Sequence, residues 1–497
     1  MKGWTYLSLG LLGVAIFVSV GQKHIQIDPT HLNGWLQQPP VAGLLKGWLQ
    51  QEGTPAAAGG VAGCTSCDCP NVPEAAEEGA ACQLSGTVAD CCCSYAAVER
   101  VNRDELSPVL EELVKTPFFR YFKVDLFCDC PFWPEDGMCI LRDCSVCECE
   151  QEEIPQPWRE AEAVDSCDLT QRESEVDRTV QPQVKARLLS LRDWRGFKNP
   201  WMPEADDEKV EYSYINLQRN GEKYTGYKGE HANRIWGSIY AQSCFEDIDS
   251  PDTCPEKRTF YKLISGMHSS ITAHIVGEYL LDEETNTWGA NLEMFKARLG
   301  NPWVKNRVEN LYFTYLFVLR AAMKAAPILE QADYNTGAPE EDARTKELVL
   351  RLLRNEALQH ACPIPFDEGR LWKGEDGEEL RQHLQSAFHN ITRIMDCVGC
   401  EKCKMWGKLQ LLGIATSLKI LFSADDCQGH EGEHGLYLER NEVISLFNFL
   451  ERLAKAVEIV RTLSLQIVNG EATKHPQGLG AIQDVTKQSL PQQLRAA

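Results

Sequence analysis

The 497-residue sequence has few long apolar runs and lacks the glycine-rich motifs that bind nucleotides. Beyond its N-terminal segment, no stretch reaches the roughly 18 apolar residues that a membrane-spanning helix needs. It contains no Gly-x-Gly-x-x-Gly motif and no Walker-type loop. A Rossmann or P-loop nucleotide site is therefore not expected, and the scarcity of alternating apolar residues disfavours a sheet-based fold.

Basic charge is also scarce in this sequence. Lys and Arg total 50 against 72 Asp and Glu, so the formal net charge is -22, and no long basic cluster occurs. A nucleic-acid partner is therefore not expected. Hydrophobic residues at 43% and charged residues at 25% are ordinary for a globular protein, which excludes disorder across the whole chain.

Cysteine, by contrast, is abundant, with 21 residues, far more than a cytosolic enzyme usually carries. Residues 1–23 place a short positive region before an apolar run from Trp4 to Val20. This pattern predicts a secretory signal peptide or an uncleaved signal-anchor. Secretion would put the cysteines in an oxidising compartment, and a sequon at Asn390 predicts glycosylation there.

Composition divides the rest of the chain into four further segments. Residues 24–80 read as a flexible linker and residues 471–497 as a polar tail. Residues 81–209 form a cysteine-rich region that we expect to be loop-rich and stapled by disulfides. Residues 210–470 show repeated 3.6-residue periodicity and predict one large helical domain, so the fold class is mainly α. The predicted helices cover Asp104–Leu113, Phe260–Ile275, Val304–Ala325, Glu347–Arg354, Leu380–Met395, Leu409–Phe422 and Glu442–Val468.

The strongest motif holds Cys397, Cys400 and Cys403 at three-residue spacing ahead of a long apolar-periodic helix. A Cys-x-x-Cys pair at a helix N-terminus suits redox chemistry, because the helix dipole and nearby cations stabilise a nucleophilic thiolate. Lys402 and Lys404 would supply that positive charge. Spacing alone also allows a structural disulfide or, with a fourth ligand, a zinc site.

A second motif begins Cys-Asp-Cys-Pro-Phe-Trp at Cys128 and continues to Cys139 and Cys144. A disulfide that closes a short exposed loop can exchange with other thiols, although a static cross-link fits the same spacing. Residues 430–434 match His-Glu-x-x-His, but three glycines in and around the motif disfavour the helix that a zinc protease requires. No metal site is therefore predicted.

These motifs resemble those of the endoplasmic reticulum (ER) oxidoreductins, FAD-dependent thiol oxidases that supply disulfides to protein disulfide isomerase. The resemblance spans roughly residues 80–470, and the cysteine spacings look most like those of plant or green-algal members. It rests on Cys130–Trp133 with Cys139 and Cys144, Tyr224–Gly229 with Ile235 and Trp236, Leu263–Ile271, Asn310–Phe313 and Asp396–Lys408.

The resemblance implies a helical bundle around FAD and two redox-active disulfides. Cys139 and Cys144 match a shuttle disulfide, and Cys400 and Cys403 match the active-site disulfide. Electrons would pass from reduced isomerase through these pairs to FAD and then to oxygen, giving hydrogen peroxide. The expected location is the ER lumen, associated with the membrane either peripherally or through the N-terminal segment.

The resemblance also implies flavin contacts and structural cross-links. Arginines suit a diphosphate and flat rings suit stacking, whereas Lys223 replaces the arginine that the family usually carries and loses its forked geometry. The implied flavin contacts are Lys223, Thr225, Trp236, Ser265, His268, Arg298 and Arg307. The implied structural pairs are Cys130–Cys397, Cys244–Cys254 and Cys82–Cys91.

Eleven cysteines then have no assignment. Cys149 pairing with Cys144, or Cys167 pairing with Cys139, could switch the shuttle off, and Cys147 competes for both.

The alternative to an enzyme is a disulfide-stapled secretory protein whose helical half is an interaction module.

Overall fold

The computed structural model describes a little over half of the chain in detail. By contacts the chain forms two units, Met1–Val61 and Ala62–Ala497, and the first contains no described residue. The predicted signal or anchor, the linker and the tail all lie outside the described residues. The described residues are 86–88, 93–133, 144–163, 199–203, 211–222, 227, 229–243, 254–300, 306–356, 371–373, 376–422, 436 and 438–468.

Helices dominate the described residues, so the prediction of a mainly α fold is confirmed. None of these helices combines the length and apolarity needed to cross a membrane. The helices are α1 (Tyr95–Val101), α2 (Ser107–Leu113), α3 (Pro117–Arg120), α4 (Gln156–Ala163), α5 (Glu230–Ser243), α6 (Pro255–Gly277), α7 (Leu292–Arg298), α8 (Arg307–Lys324), α9 (Ala326–Gln331), α10 (Pro339–Leu353), α11 (Gly377–Ile394), α12 (Glu401–Leu421) and α13 (Arg440–Val468).

The centre of the fold is a bundle of α6, α8, α12 and α13, which pack against one another. A helix that is apolar on nearly all sides must be surrounded by protein. Helix α12 meets this condition, because most of its residues are buried, and α13 places Val443, Phe447 and Leu450 in the same core. The bundle therefore fixes the direction and depth of α12, whose first turn carries the Cys-x-x-Cys motif.

Part of the region predicted to be loop-rich belongs to this core. Helix α1, a π-helical turn at Asn102–Leu106 and α2 follow one another without a break and contact α13. The buried Asn102 side chain donates to the Ala454 carbonyl on α13 and accepts from the Tyr315 hydroxyl on α8. A polar side chain satisfied from two core helices holds this early segment in place.

The strands are short and antiparallel. The pairs are β1 (Thr87–Val88) with β2 (Cys93–Ser94), β3 (Tyr121–Val124) with β4 (Ser213–Asn216), and β5 (Tyr279–Asp282) with β6 (Thr287–Gly289). Strand β3 contacts α13, and an isolated bridge between Glu148 and Ile215 extends the β3–β4 pair. That bridge brings the residues after Cys144 to the side of the bundle.

Several helix limits differ from those predicted. Helix α12 begins eight residues earlier than the predicted Leu409, and α10 likewise begins eight residues before the predicted Glu347. The α10 extension is polar, so apolar periodicity gives no signal there; it starts with Pro339 followed by three acidic residues, a pattern typical of helix N-termini. The α12 extension covers the cysteine motif itself, where lysines are mixed with the buried Cys403, Met405 and Trp406. Helix α5 was not predicted, because its apolar residues form only a partial stripe.

We expect Gly266→Ala to destabilise the bundle. A Cβ atom at Gly266 on α6 would clash with the Thr314 side chain and the Asn310 carbonyl of α8. Overpacking of this kind costs about 1–3 kcal/mol in the free energy of unfolding, which denaturant titration would measure. The control is Gly237→Ala on α5, where nothing lies within 4 Å of the added atom. A Gly266→Ala protein as stable as this control would contradict the close approach.

Candidate active site

The Cys-x-x-Cys motif lies at the beginning of α12. Cys400 is the N-cap residue of that helix, and its Sγ atom accepts a hydrogen bond of 3.3 Å from the Cys403 amide. The two cysteines form a disulfide and are only 1% and 3% exposed. This geometry is the one that favours a thiolate after reduction, because the positive end of the helix dipole faces Cys400.

A second disulfide lies one turn earlier in the chain. Cys397, at the end of the 3-10 turn Met395–Cys397, is bonded to Cys130, the pair that the family resemblance implies. All three cysteines of the motif are therefore in disulfides, and the zinc alternative does not describe this structure. Among the described residues, no group of His, Cys, Asp and Glu is arranged to hold a metal ion.

The lysines of the motif act differently from the sequence-based expectation. Lys404 is buried and its Nζ atom donates to the Leu126 carbonyl, while Lys408 donates to the Asp125 carbonyl. Burial lowers the pKa of Lys404. Lys404 thus fastens the residues before Cys128 to α12, and the helix dipole with the Cys403 amide is left as the described support for a thiolate.

Cys144 lies against the active-site disulfide. Cys144, Cys400 and Cys403 form one buried cluster, packed by Tyr227 and Val398. Cys144 is 7% exposed and is itself disulfide-bonded. The structure therefore brings one of the two predicted shuttle cysteines to the Cys-x-x-Cys pair.

A buried polar network supports Tyr227 from behind. The Tyr227 hydroxyl donates to Glu222, whose other oxygen accepts from Arg452 on α13 at 2.7 Å. The guanidinium of Arg452 also lies 5.2 Å from the ring centre of Trp406 on α12. Burial raises the pKa of Glu222, and Arg452 opposes that rise. Burial and Glu222 hold the pKa of Tyr227 well above its usual value, so its hydroxyl remains a donor.

A cavity opens beside the Cys400–Cys403 disulfide. Its lining is mainly apolar and aromatic, and helices α5, α6 and α12 each contribute to it. A lining of this character is typical of sites that hold small organic ligands and cofactors. The lining residues are Tyr227, His231, Ala232, Ile235, Trp236, Met267, Ile271, Met395, Cys397, Val398, Gly399, Cys400, Cys403 and Gly407.

Trp236 and His268 form a stacked pair at this cavity. Their ring centres are 3.7 Å apart with an angle of 13° between the planes, and the Tyr240 hydroxyl is 2.8 Å from His268 Nδ1. Burial lowers the pKa of His268 well below its usual value, and Arg307 and Arg298 lower it further. The histidine is therefore neutral at pH 7, and the positive charge here belongs to the two arginines.

Arg298 and Arg307 lie together where α7 ends and α8 begins. The Arg307 guanidinium donates to the Arg298 carbonyl at 3.2 Å, and burial and Arg307 both lower the pKa of Arg298. Two neighbouring guanidinium groups suit a diphosphate. Close by, Asn310 donates to the Ser265 hydroxyl, yet its own carbonyl oxygen is buried without a hydrogen-bond partner in the structure. Such an orphaned acceptor fits a ligand that carries donors.

Six of the predicted residues are not among those that the structure describes. Lys223, Thr225, Cys139, Cys82, Cys91 and Cys244 lie outside the described residues, as does the His-Glu-x-x-His segment. Cys254 is a free thiol, so the expected Cys244–Cys254 disulfide is not formed in this structure. Cys254 is the residue before α6, and burial raises the pKa of its thiol.

The sequon also differs from expectation. Asn390 lies within α11 and its side-chain amide donates to Gln242 on α5 at 3.0 Å. A glycosylation acceptor normally lies in a surface loop. In the folded protein this amide is instead part of the contact between two helices.

Three further described cysteines near the site are free thiols: Cys128, Cys147 and Cys149. Burial raises the pKa of Cys128 to about 11 and that of Cys149 to about 12, and neighbouring carboxylates add to both shifts. The Cys128 and Cys149 thiols are therefore protonated at pH 7 and are poor nucleophiles in this arrangement. The suggested Cys144–Cys149 switch is not formed here.

Sequence reasoning missed several groups that build the site. Tyr227 lies in a block that carries the resemblance, but its contact with the cysteines had no local signal. Glu222 and Arg452 are 230 residues apart in the sequence, so no short motif could pair them. Met267 and Ile271 were assigned to an apolar helix stripe, and that stripe also forms the cavity wall.

Comparisons with known proteins agree with this site. The sequence model of the family described as Endoplasmic Reticulum Oxidoreductin 1 (ERO1) matches residues 105–460. Endoplasmic reticulum oxidoreductin-1 of Arabidopsis thaliana is 51% identical over 391 residues, covering 77% of this chain and 80% of the relative. ERO1-like protein alpha of Homo sapiens is 34% identical over 432 residues, covering 78% of this chain and 92% of the relative. A mutant of S. cerevisiae Ero1p, whose structure is solved, is 26% identical with a TM-score of 0.50, covering 76% of this chain and 99% of that chain.

The helical bundle, the buried Cys-x-x-Cys disulfide and these relatives define an oxidoreductase of the endoplasmic reticulum. The chain belongs to the endoplasmic reticulum oxidoreductin family, in its plant type. The resemblance stated from the sequence is thereby confirmed.

We expect His268 to make the protein less stable in acid. Its pKa is lower in the folded protein than the value of about 6.5 in an unfolded chain, so below that pH the unfolded chain binds more protons. The free energy of unfolding should fall as the pH drops from about 6.5, and His268→Gln should make that fall shallower. Denaturant titrations between pH 7 and pH 5 would measure both slopes. His383→Gln, at an exposed position on α11, is the control and should keep the wild-type slope.

Proposed function

We propose that this protein is a thiol oxidase of the ER lumen that reoxidises protein disulfide isomerase and so supports oxidative protein folding. The observation that carries the proposal is the buried cluster of Cys144, Cys400 and Cys403 beside an aromatic-walled cavity. Cys139 and Cys144 would form the shuttle disulfide, and Cys400 and Cys403 the active-site disulfide.

The proposed reaction is a chain of disulfide exchanges. One thiolate of reduced isomerase attacks the Cys139–Cys144 bond, and a mixed disulfide forms. The second isomerase thiol breaks this mixed disulfide, leaving isomerase oxidised and both shuttle cysteines as thiols. The same exchange then reduces the Cys400–Cys403 bond. In each complete exchange one disulfide forms, one breaks, and two electrons with two protons move inward.

The cavity and the groups packed around it fit FAD as the cofactor. Trp236 in the cavity wall offers a flat surface. Arg298 and Arg307, whose charges act on the neighbouring His268, offer positive charge for a diphosphate, and the orphaned Asn310 carbonyl offers an acceptor. When bound, FAD supplies the two-electron acceptor for the Cys400 and Cys403 thiols and passes the electrons to oxygen, which yields hydrogen peroxide. Ser265, His268, Lys223 and Thr225 complete the proposed set of flavin contacts.

The helix start accounts for the direction of exchange at the active site. Cys144 packs in one cluster with Cys400 and Cys403, and Cys400, the N-cap residue of α12, would be the sulfur that meets the shuttle. Both cysteines line the cavity, and Cys403, one turn into the helix, would lie nearer the flavin. The proposed location is the lumenal face of the ER membrane, reached through the signal or anchor in residues 1–23.

We expect the purified protein to be yellow, with the absorbance bands of an oxidised flavin. Adding reduced isomerase in air should consume oxygen and produce hydrogen peroxide, which an oxygen electrode and a peroxide assay would measure. A folded, colourless protein that consumes no oxygen would instead support the alternative, a disulfide-stapled interaction protein.

We expect the two disulfides to have separable roles. Cys400→Ala or Cys403→Ala should lower oxygen consumption at least 100-fold with both dithiothreitol and reduced isomerase, because both routes end at this pair. Cys139→Ala should reduce isomerase-driven consumption far more than dithiothreitol-driven consumption. The control is Cys254→Ala, which removes a free thiol at the start of α6. Equal losses on both substrates in Cys139→Ala would argue against a shuttle.

A further inference from the structure

Residues Cys144–Cys149, here called the docked segment, are fastened to the start of α12 and to β4. The Lys402 amide donates to the Cys144 carbonyl at 3.0 Å, and the Val146 amide donates to the Glu401 carboxylate at 3.1 Å. At the far end, the Cys149 amide donates to the Tyr214 carbonyl at 2.9 Å. The start of α12 and strand β4 therefore both hold the docked segment, and each of these contacts is made to the main chain of the segment.

Asn220 holds the middle of the docked segment. Its side-chain oxygen accepts from the Cys147 amide, and its side-chain nitrogen donates to the Cys147 carbonyl, both at 3.1 Å. The Asn220 carbonyl in turn accepts from the Trp406 indole of α12 at 2.8 Å. Asn220 is 2% exposed, so these bonds are made away from water. The buried side-chain amide of Asn220 thus binds the main chain of the docked segment, and the main-chain carbonyl of the same residue bonds to α12.

Docking hides the Cys144 sulfur from a protein partner. In this arrangement Cys144 is buried against Cys400 and Cys403, where a thiol of another protein has no access to it. Attack on Cys144 by a partner thiol requires release of the segment, whereas exchange between Cys144 and the Cys400–Cys403 disulfide requires docking. The strength of the main-chain contacts then decides how much of the time Cys144 spends at the active site.

We propose that Glu401 and Asn220 are positioning residues that hold the docked segment over the Cys400–Cys403 disulfide and set the balance between docking and release. The inference rests on the proposed shuttle function and deepens it. Glu401 lies between the two active-site cysteines in the sequence, so its contact with Val146 couples the docked position directly to the redox pair. The x residues of this Cys-x-x-Cys motif therefore contact the shuttle through Glu401 and the Lys402 amide.

The test compares two substrates in the full chain with its cofactor. Glu401→Ala removes the acceptor for the Val146 amide, so we expect isomerase-driven oxygen consumption to fall about tenfold relative to consumption driven by dithiothreitol, the factor expected for losing one hydrogen bond to a charged group. Dithiothreitol-driven consumption should not fall, because the small dithiol gains access to the active-site disulfide. Equal losses on both substrates, or an unchanged ratio, would overturn the proposal.

Conservative and matched variants separate docking from charge. Glu401→Gln keeps an oxygen acceptor but loses the negative charge, so its ratio should lie between those of the wild type and Glu401→Ala. Glu148→Ala removes an equivalent charge from an exposed side chain of the docked segment, and the ratio should not change. If Glu401→Gln behaves like Glu401→Ala, charge at the helix start explains the effect and the docking role is wrong.

Amide hydrogen exchange tests whether Glu401 and Asn220 hold the docked segment, and it does so without measuring catalysis. In Glu401→Ala the amides of residues 144–149 should exchange about tenfold faster than in the wild type, whereas Glu148→Ala should leave them protected. Asn220→Ala should have the same effect as Glu401→Ala at Cys147. Unchanged exchange in Glu401→Ala refutes the positioning role even if the wild type is an oxidase. If exchange is faster in Glu401→Ala but the wild-type protein has no oxidase activity, only the proposed function is refuted.

Discussion

Burial of the Cys400–Cys403 disulfide at the first turn of α12 is the constraint on which the other contacts of the site depend. A helix start has unpaired amides and the positive end of the helix dipole. Both interact more strongly with a nearby negative charge when water is excluded. The bundle supplies the exclusion by surrounding α12 with α8 and α13. The same burial leaves the two cysteines 1% and 3% exposed, so a thiol of another protein has no direct path to this disulfide in the folded arrangement.

Polar side chains in the core also connect the parts of the site. The Glu222 carboxylate links Tyr227, which covers the cysteines, to Arg452 on α13, and Arg452 lies against Trp406. Loss of one partner would leave a buried charge unpaired, which is far more costly than the pair is favourable. The network therefore restricts the site to one arrangement, in which aromatic rings lie between the disulfides and the bundle interior.

Local patterns made the fold class and the redox helix predictable, because helical periodicity and the Cys-x-x-Cys spacing are written within a few turns of sequence. The contacts that complete the site were not predictable from such patterns. Asn220 and Cys147 are 73 residues apart, and the cation expected to stabilise a thiolate, Lys404, binds a carbonyl instead. The hydrogen-bond partner of a buried polar group depends on how elements distant in the sequence pack together, and the spacing of residues within a motif does not show this.

The Cys130–Cys397 cross-link has a consequence for how the protein is made. Its two cysteines are 267 residues apart, so at ribosomal speeds the first waits roughly 13–50 s for the second to be synthesised. During that interval Cys130 has Cys128 two positions away in the sequence. Each new chain must therefore keep the Cys130 thiol from pairing with an earlier cysteine until Cys397 has been made, or exchange such a pair afterwards.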